Sequence, residues 1–336
     1  MKRASERGGD RNGIGRLPAV DTLPLPVDLM ERLPEEWAGL LDGWGEPGYR
    51  ARQVFGWIHG KGVADPVQMT DLPARLRERL KGAFQEEGLA RPPLVVKIHR
   101  SSDGARKLLV RMGDGKLIES VLIPRTAAVE GDTMELDRTG AGGNGRSANA
   151  PVAQCLSCQV GCAMGCAFCA SGLVGLKRNL SASEIVWQVM LGREQLAAEE
   201  RLLGVVLMGM GEPLHNFRAV ERALLLLSHR GGVGLSLRRM TVSTCGLVPQ
   251  IDRLARRFDG RVPLAVSLHA ADDRVRSELM PVNRKSPLGT LMAALRRYPL
   301  ASGRRITIEY ALARGVNDSV QDARRLAALL GGLRVK

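Results

Sequence analysis

The 336-residue sequence is poor in aromatic rings, with five Phe, four Trp and three Tyr making up 4% of it. Stacking nucleic-acid bases along rows of exposed rings is therefore not the way this chain would hold a polymer. Long apolar runs are missing too, and no stretch approaches the ~20 residues that a bilayer-spanning helix needs. Behind Met1-Lys2-Arg3 come Glu6 and Asp10 in place of an apolar segment, so no secretory signal is expected. Residues 1–20 read as a disordered, basic, glycine-containing tail. Cysteine is scarce and unevenly placed, five of the six falling between Cys155 and Cys169. A disulfide framework would spread them out, so reduced thiols, metal ligation and a cytoplasmic location are expected. No short repeat points to a solenoid. Negative charge is in deficit: 35 Asp and Glu face 49 Lys and Arg, a net charge of +14. Such an excess favours a polyanionic partner, nucleic acid before membrane, because neutralised phosphates release counterions. Charge alone also serves solubility.

The 44% hydrophobic fraction supplies an ordinary core, and the length allows one large domain with a small one. Residues 21–95 read as a helical N-terminal domain. Ala51, Val54, Phe55 and Ile58 recur at helical spacing, and Leu72, Leu76, Leu80 and Phe84 form a second stripe behind Asp71, a candidate N-cap. Residues 96–150 change period: two apolar strands between Lys107 and Ile123 flank Gly113-Asp114-Gly115, and a flexible insertion follows over 126–150. Over residues 151–336 the rhythm is strand, loop, helix, with strands expected to end at Val160, Met208, Ser243, His269 and Leu312. Ser181 with Glu184 forms a candidate capping box, Asn216 a candidate cap, and Ser286-Pro287 a helix start. Five such units predict an α/β fold with a parallel sheet, open or curled into a partial barrel, and a site at the carboxyl ends of the strands.

Cys162, Cys166 and Cys169 stand at C-x3-C-x2-C spacing in the loop after the first parallel strand. Three thiolates so spaced can hold three irons of a 4Fe-4S cube and leave the fourth open to S-adenosylmethionine (SAM). One electron from such a cluster splits the sulfonium to give a 5'-deoxyadenosyl radical, hard chemistry that belongs to the cofactor. Structural zinc on Cys155, Cys158, Cys166 and Cys169 is the competing use of these thiols, although it leaves Cys162 idle. Chance clustering of buried cysteines is a poor account of five in fifteen residues.

The run from Gln154 through Cys169 resembles the RlmN and Cfr group of radical SAM RNA methyltransferases. So do Met208-Gly209-Met210-Gly211-Glu212-Pro213, Thr241-Val242-Ser243-Thr244, Ser267-Leu268-His269 and Met280-Pro281-Val282-Asn283. Tyr49-Arg50-Ala51-Arg52-Gln53-Val54 and Ile308-Glu309-Tyr310 match as well, so that the likeness runs over about residues 25–336.

The resemblance implies a partial (βα)6-type radical SAM barrel, a 4Fe-4S cluster on Cys162, Cys166 and Cys169, and SAM held by Gly211, Glu212, Ser243, Ser267, Leu268 and His269. It implies methylation of adenine carbon 2 in 23S rRNA and in tRNA, or of carbon 8 for a Cfr-like enzyme. Cys155 matches the catalytic cysteine that resolves a covalent protein–RNA intermediate, a reasonable role for a thiolate. Glu119 matches the proton acceptor, and reads equally well as an exposed strand residue. His269 reads alone as a satisfied core histidine; its Ser-Leu-His context lifts it. An electron donor such as flavodoxin, a monomeric state and no membrane contact complete the expectations. The chain runs out at Leu333-Arg334-Val335-Lys336, where the family's last strand should begin. Without the family's methyl-carrying cysteine, expected beyond that point, it is expected to cleave SAM but not to methylate. Cys245 is a remote substitute. Diverged radical chemistry, or a zinc-stabilised RNA-binding module, are the alternatives.

Overall fold

A computed structural model describes residues 28–86, 92–124 and 150–336. The expected tail at 1–20, and all but the last residue of the expected insertion, lie outside them.

Three N-terminal helices, α1 (Pro34–Asp42), α2 (Tyr49–Phe55) and α3 (Ala74–Glu86), form where the apolar stripes lie. Trp37, Leu41, Val54, Phe55, Leu76 and Leu80 are fully or almost fully buried between them. Asp71 does not cap α3, which starts only at Ala74. Its carboxylate accepts instead from the Trp57 indole and from Gln53 Nε2. A distant indole donor wins over the local backbone because that ring would otherwise lack a partner.

The single large sheet begins as an antiparallel meander of β1 (Leu94–Arg100), β2 (Arg106–Arg111) and β3 (Leu117–Pro124). The turn at Gly113-Asp114-Gly115 joins β2 to β3, as its residues predict. β3 pairs antiparallel with β4 (Ala150–Cys155), so the meander is continuous with the parallel part. A small ribbon of β5 (Gln159–Val160) and β6 (Arg178–Asn179) stands apart. The first parallel strand therefore ends at Cys155, five residues before the expected Val160, because the chain leaves the sheet to build the cysteine loop.

From β4 the sheet continues in parallel through β7 (Glu200–Leu207), β8 (Met240–Thr244), β9 (Leu264–Ser267) and β10 (Thr307–Glu309). Arg334 to Lys336 then lie beside β10, where Ile306 N–H donates to Arg334 O at 2.9 Å and Ile308 N–H to Lys336 O at 2.9 Å. The chain thus already sets its last residues in a sixth parallel position.

The connecting helices are α4 (Ala170–Val174), α5 (Ala182–Arg193), α6 (Phe217–Ser228), α7 (Val248–Phe258), α8 (Asp273–Leu279), α9 (Leu288–Arg297) and α10 (Val320–Leu330). The Ser181–Glu184 capping box forms as expected: Glu184 N–H donates to Ser181 Oγ at 3.2 Å, and Ser181 N–H to the Glu184 carboxylate at 3.0 Å. One apolar core joins the inner helix faces, the sheet and the N-terminal helices. Helix α1 docks on α6 through a buried ion pair, Arg222 Nη1 lying 2.7 and 2.8 Å from the Glu36 carboxylate oxygens. Ser183 Oγ adds a hydrogen bond to Asp28. Leaving either charge of that buried pair alone costs about 3–5 kcal/mol, so the N-terminal region is fixed to the barrel.

Candidate active site

The Gln-Cys-Leu-Ser-Cys-Gln run forms a buried polar frame. Gln154 and Gln188 have no exposed surface. Gln154 Nε2 donates to Ser120 Oγ at 3.0 Å and to Gln188 O at 2.6 Å. Gln188 exchanges two bonds with the Ser157 backbone, both at 2.9 Å. Ser157 Oγ donates to Glu119 O and accepts from Met210 N–H. Gln159 Oε1 accepts from Glu212 N–H at 3.0 Å, while its amide reaches Asn179 and His215. Asn216 stands at the N-cap position of α6 as expected but makes no side-chain cap bond; its side-chain amide donates to Cys158 O at 2.9 Å and Leu180 O at 2.7 Å. Buried carbonyls claim that amide, Cys158 O accepting from Leu180 N–H at 3.0 Å as well.

This frame places the end of β7 against the cysteine loop, closely enough to demand glycine. A Cβ on Gly209 would stand 2.7 Å from Ser157 Oγ, and one on Gly211 2.6 Å from Gln159 Cβ. Gly211 also has φ of +104°, where side-chain-bearing residues are strained. Glu212 follows, 4% exposed, with its carboxylate accepting from Leu214 N–H at 3.0 Å and Cys245 N–H at 2.8 Å. Burial raises its pKa against these hydrogen bonds.

An open cleft with about 580 Å³ of empty space lies at the carboxyl ends of the parallel strands. Gly211, Glu212, Ser243, Ser267 and His269 all line it, as do Cys162, Cys166 and Cys169. His269 has φ of +56°, and its Nδ1 accepts from Ala311 N–H at 3.0 Å, which leaves the proton of the neutral ring on Nε2. Burial lowers its pKa to about 4, helped by the Arg276 charge. Phe168, from the cysteine loop, meets that ring edge-on at 4.8 Å.

The three cysteines are free thiols on one short loop. Gly161 lets this loop turn at φ of +77°, and a Cβ there would strike Gly175 O. Burial raises the pKa of Cys162, and burial with the neighbouring Cys162 and Cys169 pushes Cys166 up to about 11. Desolvated thiols that repel one another as thiolates ask for a cationic centre between them, which an iron–sulfur cluster provides. The donor set fits that group. Among the described residues no three His, Cys, Asp or Glu side chains are gathered tightly enough for a single metal ion. Thiolates around zinc at ~2.3 Å would have to touch one another; a cube, with its irons at separate corners, accepts a wider set. Cys158 is turned away into the core, where its thiol donates to Met210 O at 3.7 Å, so the four-thiolate zinc set does not assemble.

The remaining expected residues divide. Cys155 ends β4 beside Met208, a cleft residue, and burial pushes its pKa up to about 11. Leu268 has a fully buried side chain that does not line the cleft. Its backbone N–H donates to Glu309 O, which holds β9 to β10. Glu119 lies on β3 with its half-exposed carboxylate 2.8 Å from Lys107 Nζ, also off the cleft. Two further carboxyl and guanidinium groups escape sequence reasoning. Glu309 lines the cleft, and burial raises its pKa against a hydrogen bond from Ser267. Arg276 is completely buried beneath the cleft and bonded to Asn283, the last residue of Met280-Pro281-Val282-Asn283. Only the position of Asn283 in that motif hints at Arg276, since a lone arginine on a short helix reads as solvated.

A parallel β/α barrel with a three-cysteine loop after its first strand and Gly-Glu-Pro after its second is the architecture of a radical SAM enzyme. The Radical SAM superfamily model matches residues 156–327, and that of the ribosomal RNA large subunit methyltransferase N-terminal domain matches residues 27–85. The dual-specificity RNA methyltransferase RlmN of Sorangium cellulosum is 54% identical over 323 residues, covering 93% of this chain and 82% of that protein. That of Syntrophobacter fumaroxidans is 43% identical over 302 residues, 90% of this chain and 79% of that protein. A radical SAM methyltransferase from Sphaerobacter thermophilus has a solved structure that superposes with a TM-score of 0.76 at 42% identity, over 92% of this chain and 83% of that one. The chain belongs to the RlmN family of radical SAM methyltransferases, which use a 4Fe-4S cluster and SAM.

Proposed function

We propose that this protein methylates adenine carbon 2 in RNA, with 23S rRNA and tRNA as substrates. One observation carries the reading: the three loop cysteines share a single cleft with Gly211, Glu212, Ser243, Ser267 and His269. Cys162, Cys166 and Cys169 hold the cluster, which when bound supplies the single electron that cleaves the sulfonium of SAM. Gly211 lets the end of β7 close on Gln159 of the cysteine loop, while Glu212 offers buried carboxylate oxygens already fixed by Leu214 and Cys245 N–H groups. Ser243 and Ser267 present hydroxyls from the next two strands. His269, neutral and with its Nε2 proton fixed in place, donates a hydrogen bond without adding charge. Burial favours the protonated Cys155 thiol, so a role for it as a nucleophile requires that proton to leave.

The target adenine must leave its stack to reach a cleft below the strand ends. The fixed N-terminal helical region, residues 28–86, and the positive net charge support RNA docking beside it. A flavodoxin-like donor supplies the electron to a cytoplasmic monomer. Among the described residues no helix is long and apolar enough to cross a membrane.

The test is anaerobic incubation with cluster, SAM, reductant and either RNA, followed by mass spectrometry of 5'-deoxyadenosine and of RNA nucleosides. Expected are 5'-deoxyadenosine and 2-methyladenosine. Methylation at carbon 8 would replace the carbon 2 reading, and no SAM cleavage would overturn the assignment.

A further inference from the structure

Arg276 is the most deeply buried charge near the cleft, with no exposed surface. Its Nε donates to Leu268 O at 3.0 Å, Nη1 to Asn283 Oδ1 at 2.8 Å, and Nη2 to Cys245 O at 2.7 Å and Ser267 O at 3.2 Å. All four acceptors are neutral. Among the described residues no carboxylate lies within ion-pair distance, and the nearby Asp273 spends its Oδ1 on Asn283 Nδ2 and Leu288 N–H. A buried guanidinium is normally kept by pairing it with a carboxylate, because desolvation of the charge is otherwise uncompensated. Here the protein satisfies its hydrogen bonds and leaves the positive charge whole.

The place of that charge gives it a use. Three of its acceptors, Cys245 O, Ser267 O and Leu268 O, lie at or just past the ends of β8 and β9, which carry Ser243, Ser267 and His269 to the cleft. Its own helix α8 reaches the cysteine loop directly, where Ala167 N–H, next to Cys166, donates to Leu279 O at 2.9 Å. Cys166 and Cys245 pack in one small cluster with Met280 and Val282, next in sequence to Asn283. Asn283 holds Arg276 in turn through Asp273 O, Asp273 Oδ1 and Ser277 Oγ. The Met-Pro-Val-Asn motif is thus the clamp on a fixed cation.

We propose that Arg276 is a positioning residue that also acts through its charge. It ties the ends of β8 and β9 together and supplies the counter-charge that eases one-electron reduction of the cluster on Cys162, Cys166 and Cys169. A cluster held by three thiolates is anionic and becomes more so on gaining an electron. A fixed positive charge in the dry interior therefore stabilises the reduced form more than the oxidised one. The protein's lever here is net charge around the cluster, one of those known to set iron–sulfur potentials.

The inference rests on the cluster assignment, and the experiment separates the two. The full chain and its Arg276→Gln, Arg276→Met and Arg276→Lys variants are reconstituted anaerobically, assayed for iron and sulfide, and titrated with dithionite under electron paramagnetic resonance. Failure of the parent to take up a cluster would sink the cofactor assignment. With a cluster present, Gln and Met are expected to lower the reduced-to-oxidised equilibrium constant about tenfold, a shift of about 59 mV to more negative potential. Gln keeps an amide that can serve two of the four acceptors and Met keeps no donor, so the two differ in bonding while both lack the charge. Lys keeps the charge while losing most of the bonds, and is expected to retain the parent potential. Potentials equal to the parent in Gln or Met would overturn the proposal. So would an equal displacement in Lys, since loss of the bonds alone would then explain the effect.

Discussion

Replacing Gly211 by alanine tests whether the close approach of β7 to the cysteine loop holds the site together. The added Cβ would stand 2.6 Å from Gln159 Cβ, 2.7 Å from its Cγ and 2.9 Å from its backbone nitrogen. The nitrogen cannot give way as a flexible side chain would. Forcing a side chain into a left-handed backbone costs about 1–2 kcal/mol, and overpacking a filled site costs about 1–3 kcal/mol. Gln159 can retreat only by releasing Glu212 N–H, Asn179 or His215. A loss of about 2–5 kcal/mol in unfolding free energy is therefore expected from these two effects. SAM binding should weaken together with it. Gly289→Ala is the internal control: this glycine is exposed on α9, and its Cβ would meet nothing within 4 Å. There alanine restricts the unfolded chain and is expected to stabilise by about 0.4–1 kcal/mol. Urea unfolding gives the stabilities, and titration calorimetry with SAM reads the cleft. A Gly211→Ala protein as stable as the parent, binding SAM equally well, would refute the argument.

Cys162→Ala, Cys166→Ala and Cys169→Ala should each abolish cluster assembly, whereas Cys158→Ala should keep it because that thiol faces the core. Iron content after anaerobic reconstitution decides this, and the assignment fails if Cys158→Ala loses the cluster while Cys162→Ala retains it. A second prediction concerns His59, which is buried with neither ring nitrogen hydrogen-bonded. Burial lowers its pKa from 6.5 to about 3. The unfolded chain therefore binds this proton at a pH where the folded chain does not. Stability should fall as pH drops from 6.5 towards 3, by up to ~1.4 kcal/mol per pH unit. His59→Leu removes that slope, so urea unfolding at pH 7.5 and pH 5 should separate parent from variant by about 2 kcal/mol more at the lower pH. The same pH dependence in both proteins would show that His59 is not the group responsible.

Features that depend on neighbours in sequence were legible before the structure. The Ser181–Glu184 box spans three residues, the α9 stripe of Leu288, Leu291, Met292 and Leu295 spans seven, and both stand where expected. The C-x3-C-x2-C loop is local too, and its three cysteines line one cleft. Less legible were polar side chains whose partners lie far along the chain. Asn216 starts α6 where expected, yet its side chain bonds Cys158 O, 58 residues away. Asp71 looks like a cap, and instead holds Trp57 and Gln53. Local periodicity carries no information about which distant polar group a side chain will serve, and burial makes such a bond worth more than a cap. Glu119 illustrates the converse: a motif match gives residue identity, but β3 turns its carboxylate towards Lys107 instead of the cleft.

The choice of amides in the frame follows from the same energetics. Gln154, Gln159, Gln188 and Asn216 link the cysteine loop, the β7 end and α5 through neutral dipoles. Had these links been ion pairs, each would have needed a matched charge taken out of water, and each would have added a field at a site whose chemistry turns on one electron. Amides supply direction without net charge, so the electrostatics of the cleft stay with the few groups placed there for it. Glu212 and Glu309 have raised pKa values, His269 is neutral, and Arg276 is held by neutral oxygens. A charged replacement in the frame, such as Gln188→Glu, would set a carboxylate against the Ser157 carbonyl that Gln188 Nε2 now serves. Around the cysteine loop position thus falls to neutral amides, whereas Arg276 joins position and field at the ends of β8 and β9, so the loop geometry is fixed without fixing the charge around it.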